Sequence, residues 1–362
     1  MRRITLLLVA LLFVFFNATF AWGEEPAAPE LTLNQAVEKA KSNSINLQSL
    51  KYDVERSYEV RQFDADKVTY IPFGPTSNAV SRAYSTLVQQ DLNYQISKRN
   101  LVYQQDVVEM QVYKLYDELL QAQEKVKVCE AQLKSADWQR IVANANYRVG
   151  MLNMMGLIQA QATAESAKTG LEAAKKALDD TYQKFNQLVG LDPSDRPVLV
   201  DKPKFEELKI GDLDSEVSRT LAVCPTVWVA QQKVDLAKIT LDLYDFSSSS
   251  RTEPYKAKEI DVTKAELSVS DTTEQMEKLV RTLYYSLKQY EEQYKSAQEN
   301  VKSAEEALRV ARVKYDVGMA TRPDVLAAES TLAQANQSLL NYSCQHEILV
   351  FAFKKPWAYA AS

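Results

Sequence analysis

The sequence is poor in residues that interrupt helices. Only 8 of its 362 residues are glycine. No proline lies between Pro75 and Pro193 or between Pro254 and Pro323. Because proline breaks the interior of a helix and glycine weakens it, these two intervals predict unusually long helices and favour an all-α fold.

Residues that bind metals or act as nucleophiles are also scarce. Cys129, Cys224 and Cys344 are odd in number and far apart, which argues against a disulfide framework or a CxxC metal site. We expect them to pack as small apolar side chains. The only histidine is His346, so a histidine metal site or a catalytic triad is not expected. This side chain should be either packed or solvent-facing.

The other usual marks of an enzyme or a nucleic-acid-binding protein are absent from the sequence. It has no glycine-rich phosphate loop and no nucleophile elbow, and we expect its acidic residues on the solvated faces of helices. The formal net charge of −5 argues against nucleic acid as a partner. We therefore expect no catalytic activity, no cofactor and no metal.

The N-terminus has the layout of a cleavable secretory signal. Residues 1–3 are Met-Arg-Arg, residues 4–16 are apolar, and small residues follow at Ala21 and Gly23. The alternative is an uncleaved membrane anchor, but the apolar run is shorter than the ~20 residues that a spanning helix needs. We expect an exported protein whose residues 1–23 are removed after Ala21 or Gly23.

Apolar and small residues recur with alternating spacings of three and four, the pattern of a coiled coil. The clearest run is Ala164, Ala167, Leu171, Ala174, Leu178, Thr181, Phe185 and Leu188. Because many of these residues are alanine, neighbouring helices can approach closely over a long contact. The pattern predicts a packed wall of long antiparallel helices.

The chain contains an internal duplication. A shift of 168 residues aligns Tyr147-Arg-Val149-Gly150-Met151 with Tyr315-Asp-Val317-Gly318-Met319. Each copy is predicted to contain a short helix, a medium helix, a connector, a very long helix and a returning helix. The sequence thus predicts two tandem helical hairpins, at 24–190 and 212–353. A Pro- and Asp-rich linker at 191–211 joins them, and a tail follows at 354–362.

Three segments resemble the TolC-like outer-membrane efflux proteins, also called outer membrane factors. They are the opening Leu31-Thr-Leu-Asn-Gln-Ala-Val-Glu-Lys-Ala40, the twice-occurring Tyr-x-Val-Gly, and Phe185-Asn-Gln-Leu-Val-Gly190. The resemblance implies a TolC-like α-barrel protomer with little or no β-structure, assembled as a homotrimer. It also implies a location in the cell envelope, at the outer membrane or its periplasmic face. The partner that it implies is the periplasmic adaptor, or membrane fusion protein, of an export pump.

The resemblance places adaptor docking at the two hairpin tips. The docking residues would be Tyr147, Val149 and Gly150 in the first copy and Tyr315, Val317 and Gly318 in the second. Independently of the resemblance, each glycine lies where a helix must end, and a left-handed residue at that position is most easily a glycine. A plain helical turn without docking is the alternative role of these residues.

The second tip also carries the residues that the resemblance assigns to a channel gate. Asp324 matches a constriction aspartate, Tyr315 lies near the same gate, and Arg322 is the tip arginine nearest to the expected position. The alternative is that Asp324 only caps its helix, after Thr321 as the N-cap residue. The gate pattern is incomplete, because the corresponding aspartate of the first copy is replaced by Gly156.

The connectors at the opposite end depart most from the family pattern. Strands that cross a membrane need ~9–11 residues of alternating polarity, and neither 69–79 nor 246–255 offers such a run. We therefore expect a membrane-spanning barrel that is reduced or missing. Tyr70, Ile71 and Phe73 are candidate membrane contacts, with an ordinary loop that packs its own aromatic residues as the alternative.

Two functions follow from this reading. The first is a channel component of an envelope-spanning efflux or secretion system. The alternative is a non-conducting envelope scaffold or adaptor-binding coiled-coil protein, which the expected loss of strands favours.

Overall fold

The computed structural model describes residues 30–69, 78–244 and 253–361 of the chain. In this part the elements are almost entirely helical, as predicted. The helices are α1 Leu33–Asn43, α2 Ile45–Ala65, α3 Asn78–Arg148, α4 Met154–Val189, α5 Leu213–Val223, α6 Pro225–Asp242, α7 Tyr255–Asp316, α8 Arg322–Lys354 and α9 Pro356–Ala361. Two strands of two residues each, β1 Glu30–Leu31 and β2 Val198–Leu199, pair in parallel.

The predicted duplication is visible in the order and lengths of the helices. Helices α1 to α4 correspond to α5 to α8: in each copy a short and a medium helix precede a very long helix and its return. Helix α3 has 71 residues, which corresponds to roughly 105 Å at ~1.5 Å per residue. Its counterpart α7 has 62 residues.

Each long helix packs along its returning helix, α3 with α4 and α7 with α8, and α3 also packs against α8. The contact between α3 and α8 joins the two copies. On α4 the predicted coiled-coil positions face inward, with Ala164, Thr181 and Phe185 buried. The apolar rhythm of the sequence therefore marks the contact surface of the hairpin.

An apolar core lies near the middle of each long helix, and the core around α7 also includes Val107 and Met110 of α3. In the first copy Val112, Tyr116 and Leu119 of α3 pack with α1 and with Phe185 of α4. In the second copy, α7 contributes Val280, Leu283 and Leu287 to the core. Helix α8 contributes Ile348 and Phe353, and α9 contributes Trp357. Val112 and Val280 are equivalent under the 168-residue shift, as are Leu119 and Leu287. The two cores therefore repeat the same packing with different partners.

The linker between the copies is held in place by specific contacts. Tyr116 accepts a hydrogen bond from the Asp201 backbone N–H at 3.1 Å, and the Asp201 carboxylate accepts from the Leu33 backbone N–H at 2.8 Å. Further along, Phe205 stacks on Tyr294 with 3.8 Å between ring centroids. The strand β2 is part of this segment and was not predicted from the sequence.

Not all acidic side chains lie on solvated helix faces, and that expectation is wrong for Asp106, Asp117 and Glu291, which are buried. Glu291 accepts from the Leu208 backbone N–H at 2.8 Å and from Lys288 at 2.7 Å. Tertiary contacts with the linker and with the other copy cover these carboxyl groups, and the helical pattern alone could not indicate that.

The most buried acidic group lies between the two copies. Asp117 of α3 is 2% exposed, and its Oδ2 atom has no hydrogen-bond partner within the part of the chain that the structure describes. Glu347 and Cys344 of α8 face it. Burial, with a smaller contribution from the Glu347 charge, raises the pKa of Asp117 to about 8. Burial and the nearby Asp201 also raise the pKa of Glu347.

The C-terminal residues, expected as a tail, are packed against the long helices. The Asp106 carboxylate accepts hydrogen bonds from Lys355 Nζ at 2.8 Å and from Trp357 Nε1 at 2.9 Å. Lys355 also contacts Glu109, which pairs with Lys41 of α1 at 3.2 Å. We call Asp106, Lys355 and Trp357 the C-terminal clasp.

The three cysteines and the single histidine are packed in the interior of the protein. Cys129, Cys224 and Cys344 are free and buried, as expected, and His346 is packed against Phe205 rather than solvent-facing. Burial lowers the pKa of His346, which keeps the ring neutral at neutral pH.

Several sequence predictions concern residues that the structure does not describe. The signal segment 1–23, the candidate membrane contacts Tyr70, Ile71 and Phe73, and most of the two connectors lie outside the described ranges. Among the helices that are described, none combines the length and the apolar character that a membrane-spanning helix requires.

Candidate functional site: the hairpin tips

Both hairpin tips turn on a glycine in the left-handed conformation, as the sequence predicts. Gly150 and Gly318 each have φ of +77°. In the first tip the Met151 N–H donates to the Asn146 carbonyl at 2.8 Å, and in the second the Met319 N–H donates to the Lys314 carbonyl at 2.7 Å. These bonds close the last turn of α3 and of α7 in the same way.

We expect opposite effects from two glycine-to-alanine substitutions. Gly318→Ala places a Cβ on a left-handed residue and should lower the free energy of unfolding of the tip by roughly 1 kcal/mol. Gly170→Ala, in the interior of α4 where an added Cβ meets nothing, should raise stability by roughly 0.5–1 kcal/mol. Urea denaturation followed by circular dichroism, with hydrogen exchange of tip peptides, measures both. Two changes of the same sign would contradict this interpretation.

The helices that return from the tips begin with side-chain caps. Asn153 Oδ1 accepts from the Gly156 N–H at 2.8 Å. At the second tip Asp324 Oδ2 accepts from both the N–H and the hydroxyl of Thr321, each at 2.7 Å. The donation from the Thr321 backbone holds the pKa of Asp324 below its usual value. Asp324 is therefore a capping residue that also carries an exposed negative charge.

The predicted docking residues lie on the solvent-facing surface of the tips. Tyr147 and Val149 of the first tip are exposed, as are Tyr315 and Val317 of the second. Arg322 is half-buried at the start of α8. The second tip thus brings Tyr315, Val317, Gly318, Arg322 and Asp324 into one turn, and the first tip carries only aromatic and aliphatic candidates.

Gly156 allows the Leu152 side chain to pack against the start of α4, a contact that the sequence alone does not reveal. A Cβ atom built on Gly156 would lie 2.6 Å from Leu152 Cδ1 and 3.3 Å from Asn153 Oδ1. The Leu152 side chain packs against Gly156, so a larger residue there fits only if Leu152 changes its conformation. The aspartate that the resemblance leads one to expect at this position would require the Leu152 side chain to move.

Sequence reasoning missed the methionines of the tips. Met151, Met154, Met155 and Met319 are 82%, 53%, 70% and 78% exposed. The indication was present in the sequence, since three methionines occur within five residues directly after Gly150. Together with Val149 and Val317, these side chains give both tips exposed apolar groups.

No alternative site for chemistry stands out in the described ranges. There, no three or more His, Cys, Asp or Glu side chains are grouped so that they could hold a metal ion. The open grooves along the hairpins are lined mainly by small and amide side chains. One lies between α3 and α4 and includes Gln132, Ala136 and Ala167, and another between α7 and α8 includes Asn300, Ala304 and Ala335.

Comparisons with known proteins agree with this architecture. Residues 229–348 match the family model described as outer membrane efflux protein. No curated protein matches the chain. The outer membrane protein VceC of Vibrio cholerae is similar in structure, with a TM-score of 0.65, 15% identity and coverage of 89% of this chain and 94% of VceC. The CmeC outer membrane channel of Campylobacter jejuni gives a TM-score of 0.69 at 14% identity, covering 89% of this chain and 85% of CmeC.

Proposed function

We propose that this chain, which has a TolC-like fold and an outer membrane efflux protein match over residues 229–348, is the channel component of an envelope-spanning export system. It docks the periplasmic adaptor of a pump through its two hairpin tips and resides at the outer membrane or its periplasmic face. The observation that carries the proposal is the pair of equivalent long hairpins whose tips carry exposed apolar side chains.

The proposed channel requires a homotrimer, because one protomer supplies only part of the wall that surrounds a channel. The grooves along both hairpins lie over the buried alanines Ala136 and Ala304, which are at equivalent positions. The exposed small and amide side chains that line these grooves leave room for a helix of a neighbouring copy. Helical hairpins that pack side by side around an axis enclose a lumen. Three copies complete that wall in this proposal.

Within such a trimer Asp324 forms an acidic ring near the entrance. Asp324 is exposed and its pKa is lowered by the hydrogen bonds from Thr321, so each copy contributes a full negative charge at neutral pH. Rings of carboxylates favour cations in channels. Tyr315 and Arg322, on the same turn, are the other members of the proposed gate.

The experiment combines oligomeric state with conductance. We expect the purified protein in mild detergent to sediment as a trimer at micromolar concentration and to produce cation-selective conductance in planar bilayers. In Asp324→Asn the ratio of cation to anion permeability should fall, because the ring loses its charge while an oxygen acceptor remains for Thr321. Thr321→Ala is the matched control, since it removes the capping hydroxyl and keeps the charge.

The two variants distinguish an effect of the Asp324 charge on ion selectivity from an effect of a distorted tip. A selectivity that falls equally in Thr321→Ala and Asp324→Asn would assign the effect to a distorted tip and not to the ring. A protein that remains monomeric and gives no conductance would contradict the channel. If such a protein still bound an adaptor, the second candidate function, a non-conducting envelope scaffold, would be supported; the incomplete gate pattern at Gly156 favours that candidate.

A further inference from the structure

The methionines of this chain are distributed unevenly between core and tips. Of the six methionines in the described ranges, Met110 and Met276 are buried. The other four lie within two or three residues of the tip turns and are at least half exposed: Met151, Met154, Met155 and Met319. In the part of the chain that the structure describes, the thioether groups are thus either buried or placed at the proposed docking surface.

The fold of the first tip does not require these side chains. The Leu152 side chain packs against Gly156, and Leu157 is buried. Gly150 and Asn153 supply the turn and the cap. Since Met151, Met154 and Met155 contribute little to packing within the protomer, their apolar character is unexplained by stability and is suited to contact with another surface.

Methionine gives such a contact two properties. Its unbranched, polarisable side chain adapts to irregular apolar surfaces. It also reacts with oxidants to form a polar sulfoxide, and this conversion is reversible by reductases. An apolar docking surface made of methionine can therefore be switched to a polar one without any change in the backbone.

We propose that the four tip methionines are an oxidation site that controls adaptor docking, so that sulfoxide formation releases the adaptor. This inference rests on the proposed docking function. With hypochlorous acid as the oxidant, the sulfur gains one oxygen atom and is oxidised by two electrons, while the chlorine is reduced to chloride and the proton is released to water. Reduction of the sulfoxide by a thiol-dependent reductase restores the apolar surface.

The burial of the cysteines makes the oxidation selective for the exposed tip methionines. The competing sulfur nucleophiles Cys129, Cys224 and Cys344 are buried, and burial strongly raises the pKa of the Cys344 thiol, which keeps it in its less reactive form. Exposed thioethers are therefore the first sulfur groups that the oxidant meets. The first tip, with three methionines against one, should carry most of the effect.

The test uses the full chain in cells, with a photo-reactive amino acid in place of the exposed Val149 as the probe of docking. The measured quantity is the yield of the cross-linked adduct before and after brief treatment with hypochlorous acid. Peptide mass spectrometry reports which methionines gain oxygen. We expect oxidation at the four tip methionines, none at Met110 or Met276, and a cross-linking yield that falls by about tenfold, as expected for polar groups placed in an apolar contact.

Two multiple variants distinguish the explanations. In M151L/M154L/M155L/M319L the tips stay apolar and cannot be oxidised, so the yield should be high and insensitive to the oxidant. In M151Q/M154Q/M155Q/M319Q the yield should be low without oxidant. The single variant M319L should stay sensitive, which tests the dominance of the first tip.

Failure of the inference and failure of docking give different results. Adduct formation that is unchanged by oxidation of the tip methionines, or lost equally in the leucine variant, would overturn the inference and leave docking intact. The absence of any adduct from position 149 in untreated cells would contradict docking itself, and the inference with it.

Discussion

Asp117→Asn is expected to make the protein more stable at alkaline pH, by several kcal/mol at pH 9. Asp117 is buried between α3 and α8 with one oxygen unpaired, and its pKa is raised to about 8. The ordinary pKa of this carboxyl group, which applies in the unfolded chain, is 3.8. Folding therefore favours the protonated group, and that contribution is complete below pH 4 and is lost as the pH rises to about 8.

The size of the effect follows from proton linkage. Between these two pKa values the folded state holds about one more proton than the unfolded state, so the free energy of unfolding falls by up to about 1.4 kcal/mol per pH unit. An asparagine side chain is neutral throughout and removes this slope. Glu347, whose pKa is also raised by burial, contributes a decline of the same sign that remains in the variant.

The measurement is urea denaturation at pH 4, 6, 8 and 9 for the wild type, Asp117→Asn and the exposed control Asp53→Asn. The wild type and the control should lose stability with rising pH along the same curve, and Asp117→Asn should follow a flatter one. Parallel curves for all three proteins would show that Asp117 is ionised without cost in the folded state, contrary to the expectation.

Asp106→Ala is expected to lower the free energy of unfolding by roughly 2–4 kcal/mol, because it removes the acceptor of the C-terminal clasp. The Trp357 indole N–H would lose its partner inside the core, and Lys355 would keep only the longer contact to Glu109 at 3.3 Å. The partial exposure of Lys355 limits the loss, since its ammonium group can turn towards water.

A double-mutant cycle measures the interaction free energy between Asp106 and Trp357 in the C-terminal clasp. Trp357→Phe keeps an aromatic ring in the core but lacks the N–H, and it should cost about 1 kcal/mol from the lost hydrogen bond in addition to the change in ring size. In the double variant Asp106→Ala/Trp357→Phe the two losses should be less than additive, because the buried donor is no longer left unpaired. Strict additivity in chemical denaturation would mean that the two groups do not interact.

The helical rods and their tips could be predicted from the sequence because their causes are local. The spacing of residues such as Ala164, Thr181 and Phe185 sets the contact face of α4, and Gly150 and Gly318 set the turns through their own backbone freedom. The capping of α8 by Thr321 and Asp324 likewise needs only neighbouring residues. Local chemistry of this kind is readable without knowledge of the tertiary structure.

The polar interior could not be predicted, because its causes lie far away along the chain. Asp106 is buried by residues about 250 positions later, Trp357 among them, and Asp117 by Glu347 and Cys344 of the other copy. Nothing near Asp106 or Asp117 in sequence distinguishes these aspartates from the half-buried Asp91 and Asp137 on the same helix. The positions of the tip methionines are evident in the sequence. Only the structure shows that these methionines are exposed while Met110 and Met276 are buried.

The uninterrupted length of α3 makes the position of the tip depend on contacts far from it. About 30 residues separate Asp117 from the end of the helix at Arg148, which is roughly 45 Å of rigid rod. A tilt of about 5° at the level of Asp117 would displace the tip by roughly 4 Å, as the rod length dictates. The helix therefore acts as a lever arm, and a small repacking between the two copies is sufficient to move a tip by about the width of a side chain.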